Sequence, residues 1–255
     1  MVFYDTHSHI YDEAFAGEED LAIRRAAEAG VSKIIFPDID SQTRAHMFSV
    51  AERHPGVVFP CLGLHPTSID AGWKEEMERM EEYKAARIHA IGEIGIDCYW
   101  SREFLKEQEE AFRLQLELAH KEDLPVIIHS RESTELIINI LKSCRHLELR
   151  GVFHAYGGSI ETFRELQKLG DWYVGIGGVL TYKKASIAET VKEIPLERIL
   201  LETDSPYLTP VPYRGKRNES SYIPVIASRL AELTGRNIED IAAQTTENAI
   251  KLFHI

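Results

Sequence analysis

Eight short apolar runs, each followed by a longer polar or amphipathic segment, constrain the fold of this chain more than any other feature. Several of them, such as Val126–Ile128 and Ile199–Leu201, are apolar at every position, which is typical of strands buried on both faces of a parallel sheet. We predict strands at Val2–Thr6, Lys33–Pro37, Val57–Cys61, Ile88–Gly92, Leu124–Ile128, Gly151–Phe153, Trp172–Gly175 and Arg198–Leu201.

Segments with helical periodicity lie between the strands and after the last one. In Arg102–Lys121, for example, Phe112 and Leu116 recur on one face while Glu and Lys fill the other. The other predicted helices are Glu18–Ala29, Arg131–Lys142, Ile160–Leu169, Ala185–Glu193, Tyr222–Leu233 and Ile238–Phe253. Eight βα units predict an α/β protein with the (β/α)8 TIM barrel fold, and its length fits one domain spanning residues 1–255.

Composition limits the classes of protein that remain. The three cysteines form no CxxC pair, which indicates a reducing compartment. We find neither a signal-peptide pattern nor an apolar run of about 20 residues, so we expect a cytoplasmic protein with no membrane segment. A net charge of −12 argues against tight nonspecific binding to duplex nucleic acid. It is compatible with an enzyme that holds a few phosphates through metal ions.

Polar residues suited to metal binding follow five of the predicted strands. His7 and His9 stand two apart, so on an extended chain their side chains point the same way and can bind one ion together. Barrel enzymes carry their active sites at the C-terminal ends of the strands, so residues of this kind should meet at one rim. The candidates are His7, His9, Glu93, His129, His154 and Asp204. Each alone is more often a polar cap, but together they predict a metal centre.

The residue types indicate which ions such a centre holds. Imidazole with carboxylate suits Zn²⁺, Mn²⁺, Fe²⁺, Ni²⁺ or Co²⁺, and Mg²⁺ suits the carboxylates. Six ligands are too many for one tetrahedral ion, so we predict two divalent ions about 3.5–4 Å apart, bridged by Glu93. The predicted ligands are His7, His9 and Asp204 for one ion, and His129 and His154 for the other. Asp204 is also the predicted general base that takes a proton from water.

Six sequence blocks resemble those of the TatD-type metal-dependent deoxyribonucleases, a family of the amidohydrolase superfamily. The resemblance extends from residue 5 to the final helix, with the blocks in order, and Arg214–Glu219 matches a further block. The six blocks are Asp5–His9, Gly63–Pro66, Gly92–Asp97, His129–Arg131, Phe153–His154 and Leu201–Leu208.

The resemblance implies a divalent-metal-dependent hydrolase that cleaves phosphodiester bonds of DNA, often as a 3′–5′ exonuclease acting on single strands or 3′ ends. The conserved histidine of the family matches His65, which implies a contact to substrate phosphate. We interpret Glu202 as a group that orients a ligand histidine. Arg131, Arg214 and Arg217 are candidate phosphate contacts because arginine grips phosphate with two nitrogens.

Two other functions remain open on the sequence. The same two-metal site could serve a hydrolase of acyl or small-molecule substrates, such as a D-aminoacyl-tRNA deacylase, a lactonase or an amidase, which the acidic charge slightly favours. Lactonase-like relatives carry a bridging lysine at strand four, whereas this chain has Glu93. The third possibility is a noncatalytic scaffold on a barrel that has lost its chemistry. The complete set of candidate ligands argues against it. We expect a monomer without an obligate protein partner.

Overall fold

The computed structural model describes residues 1–83 and 85–255 and contains eight parallel strands in the predicted order. Each strand pairs with the next along the chain within two sheets, of three and five strands. The strands are β1 (Phe3–Asp5), β2 (Val31–Phe36), β3 (Val58–Pro60), β4 (Ile91–Asp97), β5 (Val126–Arg131), β6 (Arg150–Phe153), β7 (Asp171–Ile176) and β8 (Ile199–Leu201).

Isolated parallel bridges join the two sheets at both seams. Ser8 pairs with Ser205 between the extensions of β1 and β8, and Leu62 pairs with Ile91 between the extension of β3 and β4. At the first seam the Thr6 amide also donates to the carbonyl of Leu201 at 3.0 Å. The sheet therefore closes on itself, and the predicted (β/α)8 barrel is confirmed.

Helices follow the strands around the outside of the barrel. They are α1 (Glu19–Glu28), α2 (Ser41–Arg53), α3 (Trp73–Arg79), α4 (Leu105–Lys121), α5 (Thr134–Ser143), α6 (Ile160–Leu166), α7 (Ile187–Thr190), α8 (Ile223–Thr234) and α9 (Ile238–Phe253). Neither α2 nor α3 was among the predicted helices. The apolar face of α2 includes Arg44, which is fully buried and interrupts its hydrophobic pattern.

Alternate strand residues form a small apolar cluster inside the barrel, against which the last turn of α9 packs. Ile127, Val152 and Leu200 belong to this inner cluster. Because side chains two apart on a strand share a face, the residues that follow them by two also point inward at the C-terminal rim. Those residues are His129, His154 and Glu202.

The predicted bounds of two strands were wrong. The sequence placed the fourth strand at Ile88–Gly92 with Glu93 beyond its end, whereas β4 runs from Ile91 to Asp97 and all seven residues are buried. Likewise β5 extends through His129 to Arg131. Polar residues normally mark the end of a buried strand, but here they continue the strand into the rim, where they contact one another.

The segment between Asp204 and Ser221 is irregular, as predicted, and the structure shows how it is held at the rim. Asn218 is fully buried, and its side-chain amide donates to the carbonyls of Thr203 and Tyr207 at 2.8 and 2.6 Å.

None of the described helices combines the length and the apolar character that crossing a bilayer requires.

Candidate metal centre

The C-terminal rim of the barrel brings together all six residues that the sequence singled out as metal ligands. Four of the side chains are buried, and those of His129 and Asp204 are partly exposed. The centre is therefore shielded from bulk water yet open on one side. The six residues are His7, His9, Glu93, His129, His154 and Asp204.

One half of the centre consists of His7, His9 and Asp204. The Nε2 atoms of the two histidines lie 3.0 Å apart, and Oδ1 of Asp204 lies 3.6 Å from the first and 3.7 Å from the second. One ligand atom from each residue fits within 4.8 Å of the others, so the group can hold a metal ion. Burial, with His154 close by, holds the pKa of His7 well below its usual value, which keeps a nitrogen lone pair available.

The other half is formed by His129 and His154. Nδ1 of His129 lies 2.8 Å from Oε1 of Glu93, and Nε2 of His154 lies 2.7 Å from the same oxygen. The other oxygen of Glu93, Oε2, lies 3.1 Å from Nε2 of His7. The two oxygens of one carboxylate thus face different groups of imidazoles, which is the arrangement a bridging ligand requires.

The charges around Glu93 favour a cation in this centre. Burial alone would raise the pKa of Glu93, but the surrounding histidines, His154 foremost, hold it well below its usual value. For His154, burial lowers the pKa, yet Glu93 and Glu202 outweigh it and raise that pKa well above the ordinary range. The carboxylates therefore hold protons on imidazole nitrogens that a divalent ion would displace.

Two residues outside the predicted site contact the rings of the histidines. Oδ2 of Asp97 lies 2.9 Å from Nε2 of His129. The Tyr11 hydroxyl donates to the carbonyl of Pro37, so it accepts from Nδ1 of His9 at 2.8 Å. Each contact directs the other ring nitrogen inward, as is usual for metal-binding histidines. Asp97 lies four residues after Glu93 on β4, so the two side chains are on the same face of the strand. This spacing was the signal in the sequence that could have identified Asp97 as part of the site.

Glu202, which the sequence predicts to orient a ligand histidine, lies beside His154. Its Oε1 atom accepts a hydrogen bond from the Ala155 amide at 2.6 Å and lies 3.7 Å from Nδ1 of His154. The carboxylate also packs on Gly175, where a Cβ atom would overlap it. Its position is thus fixed by the backbones of the two strands beside it.

His65 lies beside the second half of the centre. Its Nε2 atom lies 3.3 Å from Oε1 of Glu93 and 3.3 Å from Nδ1 of His129, so by distance alone it could be a ligand. However, its Nδ1 atom accepts a hydrogen bond from the Thr67 amide at 3.1 Å. Burial lowers the pKa of His65, so the ring is neutral and carries its proton on Nε2. In that tautomer Nε2 is a hydrogen-bond donor and not a metal ligand.

The three candidate phosphate-binding arginines have different surroundings. The guanidinium of Arg131 stacks on the ring of Tyr99 at 3.7 Å, and that of Arg214 stacks on Tyr182 at 4.2 Å. Arg217 instead donates to the carbonyl of Ala14 and to Glu18, so it ties the irregular segment to the loop after β1. Of the three residues, Arg131 and Arg214 are exposed and Arg217 is partly buried.

A buried ion pair lies beneath β4, which carries Glu93, and the loop after β3, which carries His65. Nε of Arg44 donates to Oδ2 of Asp38 at 2.6 Å, and both side chains are almost inaccessible to solvent. Asp38 also accepts from the amide of Gly63 through its side chain and from the amide of Glu93 through its carbonyl. The pair therefore joins α2 to β4 and to the loop after β3.

Comparison with known protein families gives a match along nearly the whole chain. A family model described as "TatD related DNase" matches residues 4–254. Among similar proteins, the uncharacterized metal-dependent hydrolase YabD of Bacillus subtilis (strain 168) is 38% identical, with 100% of both chains covered. The uncharacterized metal-dependent hydrolase YjjV of Escherichia coli (strain K12) is 33% identical, over 99% of this chain and 98% of its own.

Solved structures share the same architecture. The crystal structure of the TatD homolog YjjV from Escherichia coli K12 superposes with a TM-score of 0.90 at 31% identity, covering 99% of this chain and 98% of that one. A TatD family hydrolase from Entamoeba histolytica superposes with a TM-score of 0.83 at 22% identity, covering 99% of this chain and 98% of its own. The second likeness concerns the fold alone.

Proposed function

The chain belongs to the TatD family of metal-dependent hydrolases, and on that basis we propose that it cleaves phosphodiester bonds of DNA with two divalent metal ions. The observation that carries this proposal is the position of Glu93, whose oxygens lie 3.1 Å from His7 and 2.7 Å from His154. Two ions sharing one carboxylate form a clamp suited to a phosphate group, which has several anionic oxygens. The family description as a DNase supports the same substrate.

The proposed ligands are those of the two halves of the centre. His7, His9 and Asp204 would hold one ion, His129 and His154 would hold the other, and the carboxylate of Glu93 would serve both. When bound, the ions lower the pKa of water and offset the charge of the phosphate. The mixed donor set suits Zn²⁺, Mn²⁺, Fe²⁺, Ni²⁺ or Co²⁺, with Mg²⁺ an alternative.

Asp204 is the proposed general base. Burial raises the pKa of its carboxyl to about 6, although His154 and His9 oppose that shift. A carboxylate with this pKa is ionised at neutral pH, so it can accept a proton from water. Its partial exposure places it on the open side of the centre.

His65 is the proposed donor to the substrate. Its Nε2–H group points at the oxygen of Glu93 that faces His129 and His154. A phosphate oxygen bound near this oxygen would receive that hydrogen bond. Such a fixed donor stabilises charge that grows as the phosphodiester bond breaks.

The test is digestion of 3′- and 5′-labelled oligonucleotides, single-stranded and duplex, with Mg²⁺, Mn²⁺ or EDTA. We expect a ladder that starts at the 3′ end, requires metal and is lost in the Asp204→Asn variant. Glu189→Gln is the matched control, because Glu189 has an 81% exposed side chain that pairs with a surface lysine. Digestion that survives EDTA, or that Asp204→Asn leaves unchanged, contradicts the proposal.

The net charge of −12 favours a second function, which the same experiment tests. Without a strongly basic surface, the same centre could hydrolyse an acyl ester, a lactone or an amide. If no nucleic acid is cleaved although the protein binds metal, the proposal of a nuclease is wrong. Aminoacyl esters and lactones are then the substrates to assay.

A further inference from the structure

Exposed aromatic side chains are concentrated at the rim that carries the metal centre. Among the large apolar side chains that the structure exposes, the aromatic ones are Tyr99, Trp100 and Tyr207, with 50%, 70% and 58% of their surface accessible. The first two follow β4 directly, and the third follows β8. Exposed apolar surface is unfavourable in water, so a group of exposed aromatic side chains at the functional rim indicates a binding surface.

Tyr99 and Trp100 form one unit with Arg131. The two rings meet edge to face, with centroids 5.0 Å apart and planes at 82°. The Arg131 guanidinium lies 3.7 Å from the Tyr99 centroid and 5.3 Å from that of Trp100. This guanidinium donates no hydrogen bond and forms no ion pair with any residue that the structure describes. We call these three residues the aromatic platform.

A single carboxylate fixes the aromatic platform relative to the metal centre. Oδ1 of Asp97 accepts hydrogen bonds from the amides of Tyr99 at 2.9 Å and Trp100 at 3.1 Å. Oδ2 of the same side chain contacts His129 at 2.9 Å. In addition, Arg131 stands opposite Asp97 in the pairing of β4 with β5. The side chain of Asp97 therefore links the platform directly to His129, one of the proposed metal ligands.

We propose that the aromatic platform binds an unpaired nucleobase of the substrate and thereby selects single-stranded ends. This inference rests on the proposed function, because it places the base beside the phosphate that the centre cleaves. An exposed aromatic face stacks on any base, and arginine adds attraction to the base and to a neighbouring phosphate. A base inside a duplex is stacked and paired, so it cannot reach the platform without being extruded from the helix.

Intrinsic fluorescence tests the platform without any need for hydrolysis. The chain has three tryptophans, of which Trp73 and Trp172 are only 4% and 1% exposed while Trp100 is 70% exposed. We would titrate oligo(dT), and a blunt duplex of equal length, into the Asp204→Asn variant with Mn²⁺. We expect the single strand to quench the emission and the duplex to have little effect. Trp100→Phe should abolish the quenching.

The DNA affinities of platform variants distinguish base stacking from nonspecific electrostatic attraction. In the same Asp204→Asn background, Trp100→Ala and Tyr99→Ala should each weaken binding of labelled oligo(dT) roughly tenfold, as loss of one base stack does elsewhere. Their binding of the blunt duplex should change little. Leu114→Ala is the control, since Leu114 is an exposed apolar residue of α4. Unchanged oligo(dT) affinity in both platform variants, or no quenching by oligo(dT), overturns the inference.

The outcomes distinguish this inference from the proposed function. If the wild-type protein cleaves DNA with metal while Trp100→Ala and Tyr99→Ala keep its KM, the platform is wrong and the nuclease stands. If oligo(dT) quenches Trp100 and the variants weaken its binding but no DNA is cleaved, the platform stands and the proposed reaction is wrong.

Discussion

The carboxylate of Asp97 accepts a hydrogen bond from Nε2 of His129 at 2.9 Å, which leaves Nδ1 of the same ring facing Glu93 at 2.8 Å. Burial raises the pKa of Asp97, but bonds from His129 and two backbone amides outweigh it and lower that pKa to about 2. Asp97 is therefore ionised throughout the neutral range and holds the orientation of His129.

We predict that Asp97→Asn weakens metal binding by about 10- to 100-fold, because an amide is a poorer acceptor for the His129 ring. Calorimetric titration of metal-free protein with Mn²⁺ or Zn²⁺ measures this directly. Asp123→Asn is the control, since Asp123 has an 89% exposed side chain and pairs with Arg150. Wild-type affinity in Asp97→Asn would show that the contact does not orient the ligand.

Substitution of His65 should separate substrate contact from metal binding. Because Nδ1 of His65 accepts from Thr67, its Nε2–H group is a donor, and we predict that His65→Ala lowers kcat/KM roughly 100-fold. The metal content after dialysis should stay at the wild-type level. His46→Ala, at a half-exposed histidine on α2, is the control. Loss of metal from His65→Ala would make His65 a ligand and this assignment wrong.

Gly175 keeps space for the carboxylate of Glu202. A Cβ atom at position 175 would overlap that carboxylate, so we predict that Gly175→Ala displaces Glu202 from the Ala155 amide and from His154. Metal affinity and hydrolysis should then fall together by tenfold or more, by analogy with other residues that orient ligands. Gly157→Ala should be near neutral, because no atom of the described residues other than its chain neighbours lies within 4 Å of the position a Cβ atom would take. Equal activity of the two variants would contradict this role.

The pH dependence of metal binding should reflect Asp204. Burial raises the pKa of Asp204 from its ordinary 3.8 to about 6, so protons compete with the metal below that pH. We predict that metal affinity falls steeply as the pH drops from 7 to 5. A flat profile from pH 7 to 5 would contradict the assignment.

The metal-free protein gives an independent measurement of the same carboxyl. In the folded state Asp204 keeps its proton up to about pH 6, whereas in the unfolded chain it loses it near 3.8. Its contribution to the free energy of unfolding therefore declines as the pH rises from about 4 to 6 and is constant above. Asp204→Asn lacks this decline, so its stability relative to the wild type should increase over that interval in urea denaturation.

The Asp38–Arg44 pair should be critical for stability. Burial already raises the pKa of Asp38 to about 7, and loss of Arg44 would raise it further and remove its hydrogen-bond donor. We therefore predict that Arg44→Met lowers the free energy of unfolding by about 3–5 kcal/mol. The double variant Asp38→Asn/Arg44→Met should recover part of this loss, because it removes both charges and keeps an acceptor for Gly63. Arg53→Met, in an exposed pair with Asp20, should cost less than about 1 kcal/mol. Equal losses in the two single variants would show that burial of the pair is unimportant.

The barrel was predictable from the order of its elements, because continuous apolar strands alternating with amphipathic helices have few alternatives to a closed parallel sheet. Strand bounds were less predictable at β4 and β5, where polar residues continue a buried strand. Helix α2 was missed for a related reason. Its buried Arg44 donates to Asp38, which precedes the helix, and to the carbonyl of Gly63, which only the fold brings close.

The sequence by itself determined the fold class and the identities of the six candidate ligands, because strand order in a barrel places the end of every strand at one rim. Tertiary structure decided the rest. The orienting contacts of Asp97 and Tyr11 and the tautomer of His65 depend on distances of about 3 Å between ring nitrogens, carboxylates, hydroxyls and amides. Periodicity fixes which face a residue occupies, whereas such distances are set only when loops from different strands pack together.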